Sequence, residues 1–95
     1  MLEGGKWIPE RLAVAVSPNP FNDAALIEIS VPKNERIDVN IVDLSGRCVS
    51  RIYSGKANPG ILKLRWTPGD IPAGVYFAVV RSENSSAATK ILYVK

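Results

Sequence analysis

The sequence predicts an all-β protein, an antiparallel β-sandwich of about seven short strands. Three observations carry that reading. Prolines at positions 9, 18, 20, 32, 59, 68 and 72 and glycines at 46, 55, 60, 69 and 74 punctuate the chain at strand-length intervals. Between them, apolar and polar residues alternate with a period of two, as a strand over a core requires. No window of a dozen residues carries apolar spacing at i, i+3, i+4 and i+7 without a proline or glycine inside it, so helix is disfavoured.

The elements follow in order. Leu12, Val14 and Val16 alternate with alanines and form the first strand. Ile27, Ile29 and Val31, separated by Glu28 and Ser30, form the second. Ile37, Val39 and Ile41, separated by Asp38 and Asn40, show the cleanest alternation. A one-residue slip there would turn all three to water, so the register should be firm. Arg47 to Tyr53 alternates poorly, because Val49 and Ile52 are three apart, and a bulge is expected. Leu62, Leu64 and Trp66 alternate with Lys63 and Arg65. Val75 to Val80 is almost continuously apolar and is expected to be central and covered on both faces. In the last strand, Thr89 to Val94, Ile91 and Tyr93 share one face and Leu92 and Val94 the other.

The connections carry turn chemistry. Asp43-Leu44-Ser45-Gly46 reads as a tight hairpin closed by a glycine able to take positive φ. Asn58-Pro59-Gly60 and Pro68-Gly69-Asp70 read as loops, and Ser82 to Ser86 as a polar hairpin. Seven strands at this spacing match a sandwich of immunoglobulin-like size, without the Cys…Trp…Cys core of antibody domains.

Ninety-five residues make one small domain. Apolar residues are 46% and charged residues 22% of the chain, the ordinary balance of a globular domain rather than a disordered one. A single cysteine, Cys48, precludes an intrachain disulfide. The absence of histidine removes the commonest metal ligand and general base, which argues against a zinc site or a His-activated nucleophile. The net charge of +3 is spread along the chain with no basic run, so no nucleic-acid partner is expected. No apolar run approaches the ~20 residues needed to cross a bilayer, so no membrane insertion is expected.

Residues 1–10 read as a linker or an expression-derived segment, with Gly4-Gly5 at its centre, and residues 11–95 as the sandwich. Met1 to Glu10 lacks the apolar region of a secretory signal, so an exported protein would carry its signal on a longer parent chain.

Residue types capable of chemistry have ordinary structural readings here. Asp38 and Asp43 fall on opposite faces if the alternation holds, not paired in a cleft as glycoside hydrolysis needs. Asp43, Ser45 and Asp70 are loop oxygens without a calcium-loop pattern. Cys48 follows Arg47 but is expected to pack as a small buried residue. Trp7, Tyr53, Trp66, Phe77 and Tyr93 are candidates for a sugar-stacking platform, although Trp66 and Phe77 sit in core-like patterns. Tyr76, at a strand start, suits a tyrosine corner with its hydroxyl on nearby backbone. Ser17-Pro18-Asn19-Pro20-Phe21-Asn22 reads as a stiff extended turn that Phe21 pins to the core.

In order along the chain, SPNPFN, the strand ending Val31-Pro32, Ile41-Val42-Asp43-Leu44-Ser45-Gly46-Arg47, Trp66, Ile71-Pro72-Ala73-Gly74-Val75-Tyr76-Phe77 and Lys90 to Lys95 resemble the C-terminal sorting domain of type IX secretion cargo in Bacteroidetes-type bacteria. There is also similarity to the immunoglobulin-like domain of the flagellar hook-capping protein. The resemblance spans roughly residues 12 to 95 and implies an immunoglobulin-like fold. It also implies a non-enzymatic address label at the end of an exported parent, with no cofactor. The matching positions are Pro18, Asn19, Pro20, Asp43, Gly46, Arg47, Gly74, Tyr76 and the stretch Lys90 to Lys95.

The implied partners are a protein receptor of the secretion machinery and an upstream cargo domain. The implied route runs through the periplasm to the cell surface or the medium, with the domain cleaved off. The terminal strand is expected to dock by strand addition, with Lys90 and Lys95 meeting acidic residues. Weak dimerisation through edge strands is a further expectation. The alternatives are a structural module of hook-cap type, a spacer in a surface protein, or a carbohydrate-binding module.

Overall fold

The computed structural model describes residues 2–3 and 6–95, with side chains from Trp7 onward. The Gly4-Gly5 linker expected from the sequence lies outside the described residues. Strands β1 (Leu2–Glu3) and β2 (Lys6–Trp7) form a two-residue ladder, and Pro9 after it is buried. The seven expected strands follow as β3 (Ala13–Ser17), β4 (Ala25–Val31), β5 (Glu35–Val42), β6 (Cys48–Ala57), β7 (Gly60–Trp66), β8 (Gly74–Arg81) and β9 (Ser86–Tyr93). No helix occurs among the described residues.

The strands make two antiparallel sheets, β3-β4-β7 and β6-β5-β8-β9. Alternation decides which side chains meet between them. Ala25, Ile27, Ile29 and Val31 of β4 face Ile37, Val39 and Ile41 of β5, Ala78 and Val80 of β8, and Ile91 of β9 in one buried cluster. Leu12, Val14 and Val16 close it from the β3 side. Among the described residues no polar or charged side chain is buried, so the core is held by apolar packing alone.

β6 shows the bulge that its spacing foretold, and a second one. Its register against β5 shifts between Val39 and Asn40 and again between Ile41 and Val42, skipping Ile52 and Val49. Each extra residue restores an inward apolar side chain that strict alternation would have turned outward; both pack against the core.

Three expectations need correction. β8 is central, between β5 and β9, but only its inner face is covered. Tyr76, Ala78 and Val80 are buried, whereas Val75, Phe77 and Val79 on the outer face are half-buried, with no second layer over them among the described residues. A continuous apolar run cannot by itself show whether a second layer exists. Phe77 therefore lies outside the core in which its pattern placed it. Cys48 is exposed, not buried, because it stands at the start of β6, the outer strand of its sheet.

The termini of the strands define two poles. β3 starts beside the end of β4, where Ala13 lies opposite Ser30, so the chain enters the sandwich at that pole. The β5–β6 turn, the start of β8 and the end of β9 lie at the other pole, about seven residues of strand or roughly 23 Å away.

Candidate functional site

The exit pole gathers most of the residues that the sequence singled out. At its centre is the β5–β6 turn. The Asp43 amide donates to the Arg47 carbonyl at 2.9 Å and the Gly46 amide to the Asp43 carbonyl at 3.0 Å. Asp43 Oδ1 accepts from the Ser45 hydroxyl at 2.7 Å, the Ser45 amide at 2.9 Å and the Arg47 amide at 3.0 Å. Arg47 Nε lies 3.4 Å from Asp43 Oδ2, with the arginine side chain largely in solvent. The Ser45 hydroxyl foremost, with the two amides and the Arg47 charge, holds the Asp43 carboxyl below the usual aspartate value. Gly46 has φ +87°, which a residue with a Cβ rarely adopts. Asp43 and Gly46 thus shape the turn, and the turn presents Leu44, 75% exposed, at its tip.

Beside the turn, the chain from Ile71 to Gly74 enters β8. Gly74 takes φ +152°, so the strand can begin at a sharp bend. The Tyr76 hydroxyl donates to the Pro72 carbonyl at 2.5 Å, the tyrosine corner expected from its position. Leu44, Val49, Ile71, Pro72 and Val75 line a shallow apolar depression of about 370 Å³ between the turn and this corner.

The SPNPFN segment joins the same pole by a route that the sequence did not disclose. Pro18, Asn19 and Pro20 are exposed, and Asn19 binds the outer edge of β9 like a short extra strand. Asn19 Nδ2 donates to the Lys90 carbonyl at 2.8 Å, and the Leu92 amide donates to Asn19 Oδ1 at 2.9 Å. The Phe21 amide donates to the Leu92 carbonyl at 3.0 Å, and the Val94 amide donates to the Phe21 carbonyl at 2.9 Å. Phe21, 2% exposed, stacks on Tyr93 at 5.2 Å and meets Trp66 at 5.3 Å; Trp66 in turn meets Tyr76 edge-on at 6.2 Å. An aromatic chain therefore ties the 18–21 segment to the tyrosine corner.

This arrangement changes the expected docking of the last strand. Backbone groups of β9 from the Lys90 carbonyl to the Val94 amide that would greet an added strand are already bonded by Asn19 and Phe21. Lys90 and Lys95 are exposed, Lys95 at the pole and Lys90 further along β9 on the sheet's outer face. The aromatic platform is not assembled either: Trp66 and Tyr93 are buried, and the Tyr53 hydroxyl donates to the Lys56 carbonyl. Leu44 escaped sequence reasoning, although an apolar residue inside a turn motif was a usable signal.

No curated protein matches the sequence. Among solved structures, the chain is similar to dimeric latent PorU from Porphyromonas gingivalis, at 26% identity and TM-score 0.62 over 85% of this chain. It spans only 9% of that protein's length. A fold likeness alone links it to the alkylpurine DNA glycosylase AlkC of Pseudomonas fluorescens, at 11% identity and TM-score 0.50, covering 90% of this chain and 29% of that one. The family model for the secretion system C-terminal sorting domain matches residues 15–95. The chain, with its tyrosine corner, braced Asp43 turn and Asn19-tied last strand, belongs to that family of sorting domains.

Proposed function

We propose that this type IX sorting domain works by offering its exit pole to a protein receptor of the secretion machinery while the cargo hangs from the opposite pole. The supporting observation is the placement of the pole: the chain enters at one end of the sandwich, and Leu44, Arg47 and Lys95 are exposed at the other. Roughly 23 Å of folded strand would keep an upstream cargo clear of the receptor. The domain acts by being bound, without catalysis. The parent crosses the periplasm and reaches the cell surface or the medium, where the domain is removed. The edge of β9 near Lys90 contributes to docking through side chains, since from the Lys90 carbonyl onward its backbone is bonded within the chain.

The test is a reporter fused ahead of residues 12–95 in a bacterium with a type IX system. Export of the reporter to the surface or medium is expected, and retention of the wild-type fusion overturns the reading. Leu44→Ser and Lys95→Ala are surface changes expected to leave the melting temperature within a few degrees, by roughly ±0.5 kcal/mol. Reduced export from these two variants locates the receptor contact at the pole. Unchanged export from both removes the pole from the mechanism. Deleting Lys90 to Lys95 is the poorer test, because it also removes buried Ile91 and Tyr93.

A further inference from the structure

The outer face of the four-stranded sheet carries a second feature. Antiparallel sheets with one solvent face normally turn polar residues outward. Here β8 turns Val75, Phe77 and Val79 outward, and the register sets Val42 of β5 beside Phe77 and Leu92 of β9 beside Val75. Leu92 is 37% exposed and the others are half-buried. The apolar stripe runs from the exit pole to mid-sheet. It is the face that the uninterrupted run from Val75 to Val80 led one to expect under a second layer, and among the described residues no layer covers it.

The surround of the stripe is cationic. Arg51 of β6 lies opposite Asn40, Lys90 of β9 opposite Phe77, and Arg81, at the end of β8, opposite Asp38. None of the three is in an ion pair among the described residues. The acid among the paired residues of this face is Asp38, whose carboxylate accepts from the Ser54 hydroxyl at 2.6 Å. Four strands at ~4.8 Å spacing and eight residues at ~3.4 Å give the whole face about 500 Å², of which the apolar stripe is a part. That is below the roughly 800 Å² per partner of a standard stable interface. A second copy would bring the same cations against these.

We infer that this face is a transient docking surface for a protein with an apolar centre and a rim of Asp and Glu side chains. The inference rests on the sorting reading and places the partner there as the missing outer layer over β8. Val75 belongs both to this stripe and to the depression at the exit pole, so one receptor can span the two. A modest interface suits a label that must be bound and then released.

The test uses the same reporter fusion. Val79→Glu sets a carboxylate at the inner end of the apolar stripe, against the acidic rim of the partner. Arg51→Thr combined with Arg81→Thr removes the surrounding charge at exposed positions without setting a carboxylate opposite Asp38, which spares the fold if Val79→Glu does not. Each variant is expected to lower export about ten-fold, the scale of disrupting a binding centre, with the melting temperature of the double arginine variant nearly unchanged. A zero-length carbodiimide joins amines to carboxylates. In exporting cells it is expected to link Lys90 to an Asp or Glu of another protein, and Lys90→Arg is expected to abolish that link.

Wild-type export with unimpaired export of the variants overturns the docking face and leaves the sorting reading standing. Failure of the wild-type fusion to export defeats the sorting reading itself. Two other results overturn the acidic protein partner. One is dimerisation of the 95-residue chain in sedimentation that Val79→Glu abolishes, and the other is binding to phosphatidylglycerol vesicles that the same variant abolishes.

Discussion

Asn19 offers the sharpest test of how the fold closes its last strand. Its side chain spans β9, donating to the Lys90 carbonyl at 2.8 Å and accepting from the Leu92 amide at 2.9 Å. Asn19→Ala removes both bonds. At about 0.5–1.5 kcal/mol net per bond, and toward the low end because the site is exposed, the loss is about 1–2 kcal/mol. For a domain of this size that lowers the melting temperature by roughly 4–15 °C. Asn19→Asp keeps the acceptor for Leu92 but sets a carboxylate against the Lys90 carbonyl, so it should not recover stability at neutral pH. Thermal unfolding measures the first quantity. Amide hydrogen exchange at Leu92 reports the second directly, because only the Asn19 bond protects that outward-facing amide. If Asn19→Ala leaves both the melting temperature and Leu92 exchange unchanged, the segment does not hold the strand, and the account of the β9 edge is wrong.

The remaining predictions concern neighbouring features. Phe21→Ala removes a ring that is 2% exposed between Trp66 and Tyr93. It should cost about 3–5 kcal/mol in denaturant unfolding; a loss under ~1 kcal/mol would mean that the aromatic chain adds nothing. Asp43 has its carboxyl pKa lowered in the folded state, so its contribution is full above the unfolded value and is lost as pH falls through the folded one. Asp43→Asn should therefore be less stable than wild type at neutral pH, with the gap closing in acid below about pH 4; a gap constant with pH refutes this. Cys48, exposed at the start of β6, should react with a thiol reagent such as DTNB in the native state with no unfolding lag. A reaction that requires denaturant would place it inside.

The fold was legible because period-two alternation needs no tertiary information. Ile37, Val39 and Ile41 announce both their strand and its buried face, and all three are fully buried. The spacing of Val49 and Ile52 even announced a bulge, since only an extra residue can bring both inward, although the strand has two. Tyr76 was readable from its place at a strand start. The candidate site was legible only in pieces. Asp43 to Arg47, Gly74 to Tyr76 and Pro18 to Pro20 each stand out, but the separations between them are set by loops, and no local pattern shows that all three reach one pole.

What the sequence determined by itself was the set of strands, their inward faces, the tight turn at Gly46 and the exclusion of histidine chemistry. These depend on neighbours a few residues apart. The tertiary structure decided the rest, because it turns on which strand lies beside which. Asn19 reaches Lys90 and Leu92 across more than seventy residues and satisfies the end of an edge that would otherwise be open there. Cys48 is exposed because β6 is an outer strand. Val75, Phe77 and Val79 face outward because a sandwich has two layers and β8 lies in one of them. An apolar run records that a surface wants covering; only the arrangement of the sheets shows whether the chain covers it.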